Sequence, residues 1–409
     1  MDKLSRFGTT NKYWSLCMLY LGFCVAYIDR TAINISLSAI GQEFEVSPAT
    51  LGVVLSAFFI GYTVMQVPGG MIVDKLGSKK VIMISLAFWS VFTFATGFTY
   101  SLLALLLVRF LFGLGEGSFP PAAFKGIAEY FPHNERANMA GVLVSSNYVG
   151  SALAPVIVVP LMLILGWRGM FHVLGVFGFA YVFFYWLRIE QIKRPDSSVH
   201  DDKPIKKKRI DIKSVIRLPI MWQLLLAWFA LSLINKGLDS WMPTYLLTVR
   251  HLDLKAVGIL TPLPFITAGI STAVSGYVMD HFFDKKEKYL LAGCAVLTAV
   301  FLYFMYTAEH ISYVIGFQCL VYFFKSFVLG CVLALPLKLL PESVSGSAVG
   351  MVNLGGQAAG FISPALIGFI ITAFHGSYDA VFMFLIVAAC CSAAVSLTIR
   401  HRSHNQLLS

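Results

Sequence analysis

The sequence predicts an all-α polytopic membrane protein whose twelve transmembrane helices form two pseudo-symmetric six-helix halves. Hydrophobic residues make up 57% of the 409 residues and charged residues only 13%, about half the charged fraction of a typical soluble domain. The apolar residues fall into runs of roughly 20 residues or more, the length that crosses a bilayer as a helix. A polar stretch in the middle of the chain separates six such runs from six others.

The twelve apolar runs define the predicted spans. The first run is too long for a signal-peptide core and has no small-residue cleavage site after it, so we expect it to be the first span. An even number of spans places both chain ends on the same side of the membrane. The predicted spans are 13–38, 49–71, 79–99, 101–127, 137–163, 170–188, 219–247, 255–279, 289–307, 311–337, 345–373 and 379–399.

Lysine and arginine placement predicts the orientation, because cytoplasmic connections carry an excess of these residues. Alternate connections are rich in them, whereas the opposite set contains only Arg168, Arg250 and Lys255. We therefore expect a multi-pass protein of the cell (inner) membrane with both termini and the central loop in the cytoplasm. The net charge of +10 is mostly this asymmetry and does not indicate a nucleic-acid partner. The basic run at 206–209 is either a topology signal or a site for anionic lipid.

The two halves of the chain resemble each other. The longest polar loop gives predicted domains at 1–189 and 219–409, joined by a cytoplasmic linker at 190–218. Several matches at nearly one offset indicate an internal repeat. Gly70, Asp74, Pro132, Gly141 and Pro155 of the first half correspond to Gly276, Asp280, Pro341, Gly350 and Pro364 of the second.

Two pairs of charged residues lie inside apolar runs. A charge at membrane depth costs at least about 2.5–3.5 kcal/mol and therefore marks a candidate functional site. Asp29 and Arg30 are adjacent in the first span, and Arg109 and Glu116 are seven residues apart in the fourth. Seven residues are almost two helical turns, so Arg109 and Glu116 share one helix face. The alternative is that Asp29 with Arg30, or Glu116 with Arg109, forms a static ion pair that braces helices.

Lys325 is a fifth charge, near the middle of the tenth span. It could meet a second anionic group on a ligand such as a dicarboxylate, a sulfonate or a phosphonate. The alternatives are that it extends outward to the membrane interface or pairs with Asp239. Lys236 and Asp239 are three residues apart on the seventh span and could instead pair with each other.

The loop after the second span carries the motif that identifies a family. Gly70-Met-Ile-Val-Asp74-Lys-Leu-Gly77-Ser-Lys79-Lys80 matches the major facilitator superfamily signature G-x-x-x-D-x-x-G-x-[RK]-[RK] at every position. Gly70 would permit close helix approach, Asp74 would accept from a helix N-terminus or an arginine, and Gly77 would allow a tight turn. The chain is identified as a member of this superfamily. The resemblance implies its twelve-helix transporter fold, with this loop as a conformational latch.

Further motifs point to one branch of that superfamily. They are Tyr27-Ile-Asp29-Arg30, Tyr62-x3-Gln66-x-Pro68-Gly69-Gly70, Arg109-x3-Gly113-x-Gly115-Glu116-Gly117 and Gly166-Trp167-Arg168-x2-Phe171. Together they resemble the anion:cation symporter family, which includes carriers of galactonate, hexuronates and glucarate. Many relatives also carry Trp-Ala-x-Pro in the tenth span, where this chain has Leu333-Ala334-Leu335-Pro336. Because of that departure, the identity of the substrate cannot be carried over.

The resemblance implies roles for the charged and polar residues. Asp29 and Glu116 would carry protons, Arg30 would help to bind the substrate carboxylate, and Arg109 would couple the two. Tyr27 and Tyr62 would line the site. The remaining candidate substrate contacts, each of which could instead be an interhelical hydrogen bond, are Asn147, Asn353 and Gln357, with Lys325 added for the reason above.

The four charges of the first half predict proton–anion coupling. Arginine keeps its proton in proteins, so the four charges cancel when both acids are ionised. Protonation of either acid leaves a net charge of +1, which favours an anion. Repeated halves give alternating access to a site at their interface. The predicted function is proton-coupled uptake of a small organic anion, most simply a sugar acid or related carboxylate, by a monomer in the lipid bilayer.

The sequence leaves other functions as alternatives. An exporter or facilitator of another metabolite is less well supported, because the fifth span lacks the Gly-Pro-x-x-Gly-Gly pattern of proton antiporters. An importer of a doubly charged anion would explain Lys325. A membrane enzyme or a non-transporting sensor is not expected, since HExxH and GxSxG motifs and paired acids at a membrane surface are missing from the sequence. The glycine-rich stretch around Glu116 has no GK[ST] and predicts close packing, not a nucleotide site. We expect no metal, cofactor or catalytic residues.

Overall fold

The computed structural model describes residues 4–188, 218–283, 286–339 and 342–399. Every regular element in these ranges is an α-helix, which confirms the predicted fold class. Helices satisfy their backbone polar groups internally, as a bilayer requires. The helices are α1 (Leu4–Phe44), α2 (Pro48–Leu76), α3 (Ser78–Thr96), α4 (Leu102–Gly117), α5 (Phe119–Tyr130), α6 (His133–Arg188), α7 (Pro219–Thr248), α8 (Leu254–Leu260), α9 (Pro262–Phe282), α10 (Glu287–Thr307), α11 (Ile311–Leu339), α12 (Glu342–Ala373) and α13 (Asp379–Thr398).

Helix α6 accounts for two of the twelve predicted spans. In the described residues, eleven helical stretches are long and apolar enough to cross a membrane, and one of them, Asn138–Arg188, has 51 residues. At about 1.5 Å per residue that stretch is roughly 77 Å long, more than twice the thickness of the hydrocarbon core. It is broken at Gly166, where φ is 68° and ψ is 175°. The segments on either side correspond to the predicted spans at 137–163 and 170–188.

The packing divides the described residues into two compact units. The first contains α1 to α6 together with Asp239–Pro262 and Pro364–Thr372, and the second contains the described parts of Lys193–Leu238, Leu263–Ser363 and Ala373–Ser409. The predicted linker at 190–218, with its basic run at 206–209, lies outside the described residues except for Leu218. The division at 1–189, 190–218 and 219–409 therefore stays a prediction.

In the first unit, glycines bring the backbones of α2 and α4 together. A Cβ atom on Gly61 would meet the carbonyl group of Phe110, and one on Gly113 would lie 2.9 Å from the backbone nitrogen of Tyr62. Small residues at such positions allow close approach of membrane helices. The close packing predicted for the glycines around Glu116 is thus confirmed at Gly113, and Gly117 also lies against Tyr62. This contact holds α4 closely against α2.

We expect Gly113→Ala to destabilise the protein, because the added methyl group would meet backbone atoms of α2 that cannot move aside. Overpacking of this kind costs about 1–3 kcal/mol. The matched control is Gly141→Ala in α6, where an added Cβ meets nothing within 4 Å. Thermal unfolding of the purified variants in detergent measures both effects. Equal melting temperatures for the two variants would contradict the close α2–α4 contact.

In the second unit, α10 packs against α11 and α13. Phe301 of α10 stacks on Phe324 of α11, with ring centroids 5.7 Å apart and an interplanar angle of 10°. Hydroxyl groups of α9 join α11 as well: Thr267 donates to the carbonyl oxygen of Cys319 at 3.1 Å, and Ser271 donates to that of Phe323 at 2.5 Å. These contacts hold the middle of α11, where Lys325 lies, inside the unit.

Candidate functional site

The first unit gathers the four charged residues that the sequence singled out. Helix α1 supplies Asp29 and Arg30, and α4 supplies Arg109 and Glu116. Asp29 and Arg109 are each 2% exposed, Glu116 is 1% exposed, and the Arg30 side chain is 14% exposed. Buried charges need compensation by opposite charges or hydrogen bonds. How each of the four is compensated indicates what the cluster can do.

Arg30 and Glu116 form the central ion pair of the cluster. Nε of Arg30 donates to Oε1 of Glu116 at 2.6 Å, and Nη2 contacts the same oxygen atom. Hydrogen bonds between charged groups are the strongest that side chains make. The pair therefore ties α1 to α4, and any change in the charge of Glu116 acts directly on Arg30.

Three aromatic rings surround the guanidinium group of Arg30. Its Cζ atom lies 4.8 Å from the ring centroid of Tyr27, 4.9 Å from that of Phe58 and 4.6 Å from that of Tyr62. A cation over an aromatic face gains about 0.5–2 kcal/mol. Tyr27 and Tyr62 thus lie beside the residue predicted to bind a carboxylate. Phe58 was missed, although it precedes Tyr62 by four residues and shares its helix face.

Asp29 is held by α3. Its Oδ2 atom accepts a hydrogen bond from Oγ1 of Thr93 at 3.2 Å. Within the part of the chain that the structure describes, its buried Oδ1 atom has no hydrogen-bond partner. A buried carboxylate with one such donor is poorly compensated. Nothing in the sequence around Thr93 marked it as a partner, because the third span contains no charged residue in its apolar core.

Arg109 has no close ion pair among the described residues. Its Cζ atom is 4.6 Å from the ring centroid of Phe112 and 5.5 Å from that of Phe58. Its Nε atom has no hydrogen-bond partner among the described residues. Arg109 interacts electrostatically with both Glu116 and Asp29 over a longer distance. The close ion pair therefore joins α1 and α4, in contrast to the two within-helix pairs of the bracing alternative.

We expect Thr93→Val to lower thermal stability, because it removes the donor to a buried carboxylate. A lost partner of this kind costs about 1–3 kcal/mol, and Thr93→Ser, which keeps the hydroxyl group, should remain near wild type. The control is Thr298→Val, since the buried Thr298 donates only to a carbonyl oxygen of its own helix, that of Cys294. Melting temperatures of purified protein decide the matter. Equal melting temperatures for Thr93→Val and Thr298→Val would show that the hydrogen bond to Asp29 does not contribute to stability.

The other polar candidates are distributed over both units. Asn147 of α6 is half-buried in the first unit, and its Oδ1 atom has no hydrogen-bond partner among the described residues. Asn353 and Gln357 are half-buried on α12 in the second unit, four residues apart and so on one helix face. Their roles as substrate contacts stay predictions.

Lys325 is buried in the second unit, with 2% of its surface exposed. Its Nζ atom donates to Oδ1 of Asn235 and lies 3.6 Å from the ring centroid of Tyr322. The alternative that Lys325 extends outward to the membrane interface is therefore wrong. The alternative pairing of Lys325 with Asp239 stays a prediction. The sequence did not indicate Asn235, which is 90 residues away.

The predicted latch loop joins α2 to α3. Gly77 has a φ of 84° and donates its N–H to the carbonyl oxygen of Val73 at 2.9 Å, which confirms the tight turn. Asp74 pairs with Lys125 of α5 at 2.6 Å, and its expected contact with a helix N-terminus or an arginine stays a prediction. A Cβ on Gly70 would meet nothing within 4 Å, so the expected close approach at Gly70 is wrong in this structure.

The helix before this loop approaches a neighbour at Gly69. The close approach occurs one residue before Gly70, at Gly69, where a Cβ would lie 2.7 Å from the Cβ of Ser118. Lys79 is half-buried and Lys80 is exposed, and the action of the loop as a latch stays a prediction.

The Gly166-Trp167-Arg168 motif, at the break in α6, binds the end of α1 through a hydrogen bond and an ion pair. Nε1 of Trp167 donates to Glu43 at 2.7 Å, and Arg168 pairs with the same carboxylate. Arg168 also donates to the carbonyl oxygen of Thr99 at 2.8 Å. The sequence marked this motif but not Glu43. In the second half, the side chains of Leu333 and Lys338 lie outside the described part of the chain.

Apolar helices that enclose a buried, charge-compensated cluster define a multi-pass membrane transport protein. The chain belongs to the Major Facilitator Superfamily, whose family model matches residues 19–364. The sequence-based identification of the superfamily, and the resemblance to its sugar-acid carriers, are confirmed by this match and by the relatives below.

Similar proteins are transporters of organic anions. The chain is 30% identical over 385 residues to a probable sulfoacetate transporter of Cupriavidus necator, covering 90% of this chain and 88% of that one. It is 25% identical over 369 residues to the hexuronate transporter of Bacillus subtilis, covering 87% of each. The fold matches the crystal structure of a bacterial homolog of the human lysosomal transporter Spinster, in an inward-facing and unoccupied conformation. The TM-score is 0.78 at 19% identity, over 95% of each chain.

Proposed function

We propose that this chain is a proton-coupled symporter that takes up a small organic anion, a sugar acid or related carboxylate, by alternating access. The observation that carries the proposal is the ion pair between the half-buried Arg30 and the buried Glu116, with Asp29 and Arg109 buried in the same unit. Two acids and two permanently charged arginines sum to zero. Binding of one proton therefore changes the net charge of the cluster from 0 to +1, and the guanidinium group of Arg30 can bind one anion.

Protonation of Glu116 is the step that links the two fluxes. In the ionised state, Glu116 occupies Nε and Nη2 of Arg30. A protonated Glu116 no longer offers a full negative charge, so a substrate carboxylate competes for the guanidinium group. Arginine suits this exchange because its planar fork binds carboxylates in two-point contact. The aromatic rings of Tyr27, Phe58 and Tyr62 keep the guanidinium group in place while its partner changes.

Asp29 and Arg109 influence how readily the substrate carboxylate replaces Glu116 at Arg30. Asp29, with one hydrogen bond from Thr93, is the second proton carrier. Arg109 interacts with both acids, so protonation of one acid strengthens its attraction to the other. Through Arg109, the state of each acid depends on the state of its neighbour, which is the coupling role that the family resemblance implies.

Placement in the membrane follows from the basic connections. Their asymmetry supports cytoplasmic termini in the cell membrane, so that protons and the anion enter from outside and leave to the cytoplasm. The chain acts as a monomeric carrier and not as an enzyme, with the proton gradient as its energy source and no nucleotide or metal. The relatives that transport sulfoacetate and hexuronate support an organic anion as cargo.

Uptake into proteoliposomes tests the proposal. The probes are D-galactonate, D-galacturonate, D-glucarate and sulfoacetate, each supplied with an inward proton gradient, with a sodium gradient, or with neither. We expect accumulation of at least one probe only with the proton gradient. Accumulation driven by sodium alone would overturn proton coupling. Entry that merely equilibrates under every gradient would identify a facilitator, and failure of all four anions to enter would overturn the substrate class.

A further inference from the structure

Trp89 of α3 is a buried tryptophan with an unpaired polar atom. The residue is 0% exposed, and its Nε1 atom has no hydrogen-bond partner among the described residues. An indole group can only donate, so the site holds a buried donor without an acceptor. Buried polar groups are as a rule hydrogen-bonded, and an exception at a transport site points to a partner that changes.

The neighbours of Trp89 fix its indole ring within the first unit. The ring packs edge to face on Phe119 of α5, with centroids 5.1 Å apart and an interplanar angle of 85°. Helix α4 lies against its backbone, since a Cβ on Gly115 would be 3.0 Å from the backbone nitrogen of Trp89 and 3.2 Å from its Cβ. Ring packing and backbone contact therefore position the indole without the help of its N–H group.

The side chain that Trp89 approaches, Asp29, has an unpaired acceptor. Trp89 is one turn before Thr93 in α3, so the two share a helix face, and Thr93 donates to Oδ2 of Asp29 at 3.2 Å. The Trp89 side chain also acts on the carboxyl group of Asp29. Oδ1 of Asp29 is buried, with no hydrogen-bond partner in the described ranges. An unpaired donor and an unpaired acceptor thus belong to two side chains that already interact.

Charged groups act on Asp29 from α1 and α4. Glu116 and Arg109 interact with its carboxyl group electrostatically, and Arg30 follows it in the chain. Arg30 donates to Glu116, which leaves the donors of α3 to bind Asp29. Further titratable side chains on the helices packed around the cluster include Tyr27 of α1, Tyr62 of α2, and Tyr148 and His172 of α6.

We propose that Trp89 is a positioning residue for Asp29, whose indole N–H group donates to Oδ1 when Asp29 is ionised and separates from it when Asp29 takes up a proton. This deepens the proposed function and rests on it. An ionised carboxylate accepts strongly at both oxygens, whereas protonation makes Oδ1 a donor and a weaker acceptor. An unpaired N–H group, as in this structure, is then the arrangement of protonated Asp29. Because Trp89 binds the ionised form, it helps Asp29 to release its proton.

NMR signals of the indole N–H groups test the proposal on the full-length protein in detergent micelles, labelled with nitrogen-15 at tryptophan. The chain has seven tryptophans, and the signal that Trp89→Phe removes belongs to Trp89. If that variant does not fold, replacing the other tryptophans one at a time assigns the signal by exclusion. From about pH 5 to about pH 10, a range that covers shifted carboxyl groups, we expect the Trp89 proton signal of the wild type to move downfield. In Asp29→Asn it should stay at its acidic position.

Trp228 of the second unit is the matched control, because its Nε1 atom is also buried without a hydrogen-bond partner in the part of the chain that the structure describes. Its signal should be the same in the wild type and in Asp29→Asn at each pH. A Trp89 signal that stays fixed in the wild type, or that moves equally in Asp29→Asn, would overturn the proposal.

Transport by Trp89→Phe tests the consequence for proton release. Phenylalanine keeps an aromatic ring and lacks the N–H group, so Asp29 should hold its proton about threefold to tenfold more tightly, the factor of one hydrogen bond. We expect proton-driven uptake to persist to a pH about half to one unit higher than in the wild type, whereas Trp228→Phe should keep the wild-type pH profile.

An unchanged pH profile in Trp89→Phe would overturn the role of Trp89 in proton release. A wild-type protein that fails to accumulate any anion, with a Trp89 signal that still follows Asp29, would support the contact and count against the proposed function.

Discussion

Glu116→Gln abolishes concentrative uptake and leaves exchange of the anion across the membrane intact. Glutamine keeps the shape of a protonated Glu116 but cannot release a proton, so the Arg30 guanidinium group stays available to the substrate and the proton flux stops. In the wild type, a gradient of one pH unit supplies about 1.4 kcal/mol per coupled proton, equivalent to about tenfold accumulation. The variant should reach only the external concentration, while counterflow continues. Asp29→Asn should behave in the same direction.

The control for this prediction is Glu135→Gln. Glu135 of α6 also forms an ion pair in the first unit, with Lys12 of α1 at 2.8 Å, but its side chain is 33% exposed. Its variant should accumulate the anion as the wild type does. Proton-driven accumulation by Glu116→Gln at the wild-type level would remove Glu116 from the coupling mechanism.

Arg30→Lys raises the KM for the anion by about tenfold or more, although it keeps the positive charge. Lysine is a point charge and lacks the planar fork that contacts a carboxylate at two atoms. It also fits less well among the rings of Tyr27, Phe58 and Tyr62, which lie 4.6–4.9 Å from the guanidinium carbon. Loss of one charge-assisted hydrogen bond costs about 1.5–3 kcal/mol, hence the expected factor. Initial rates of counterflow over a range of anion concentrations measure it.

Arg250→Lys is the matched control for Arg30→Lys. Arg250 lies over the ring of Tyr245 at 5.5 Å and donates to its hydroxyl group at 2.8 Å, so it is also an arginine on a tyrosine, outside the charged cluster. Its variant should keep the wild-type KM. A wild-type KM for the anion in Arg30→Lys would contradict two-point binding of a carboxylate by the guanidinium group of Arg30.

The sequence predicted which charged residues matter better than it predicted their partners. Asp29, Arg30, Arg109 and Glu116 stood out because each is costly in an apolar run. The structure places all four in one unit, with Arg30 half-buried and the other three buried. Their pairing depends on how α1 crosses α4. It depends also on how α4 packs against α2, through contacts such as that of Gly113, which a linear sequence does not display.

Partners without charge were the hardest to predict. Thr93 and Asn235 hold Asp29 and Lys325, yet threonines and asparagines in membrane helices are common and bond in many ways. In the loop after α2, the sequence predicted the turn correctly but misplaced a helix contact by one residue. Gly77 was predicted correctly because a tight turn after a helix needs its positive φ. The close approach was placed at Gly70 and occurs at Gly69, since one residue rotates a helix face by about 100°.

Proton entry during anion uptake tests the central claim most directly. Proteoliposomes that contain a pH-sensitive dye, with the membrane voltage clamped at zero, receive the transported anion outside at equal pH on both sides. We predict that the lumen of wild-type vesicles acidifies as the anion enters, and that Glu116→Gln vesicles exchange the anion without acidification. Anion entry into wild-type vesicles with no change in luminal pH would contradict the account.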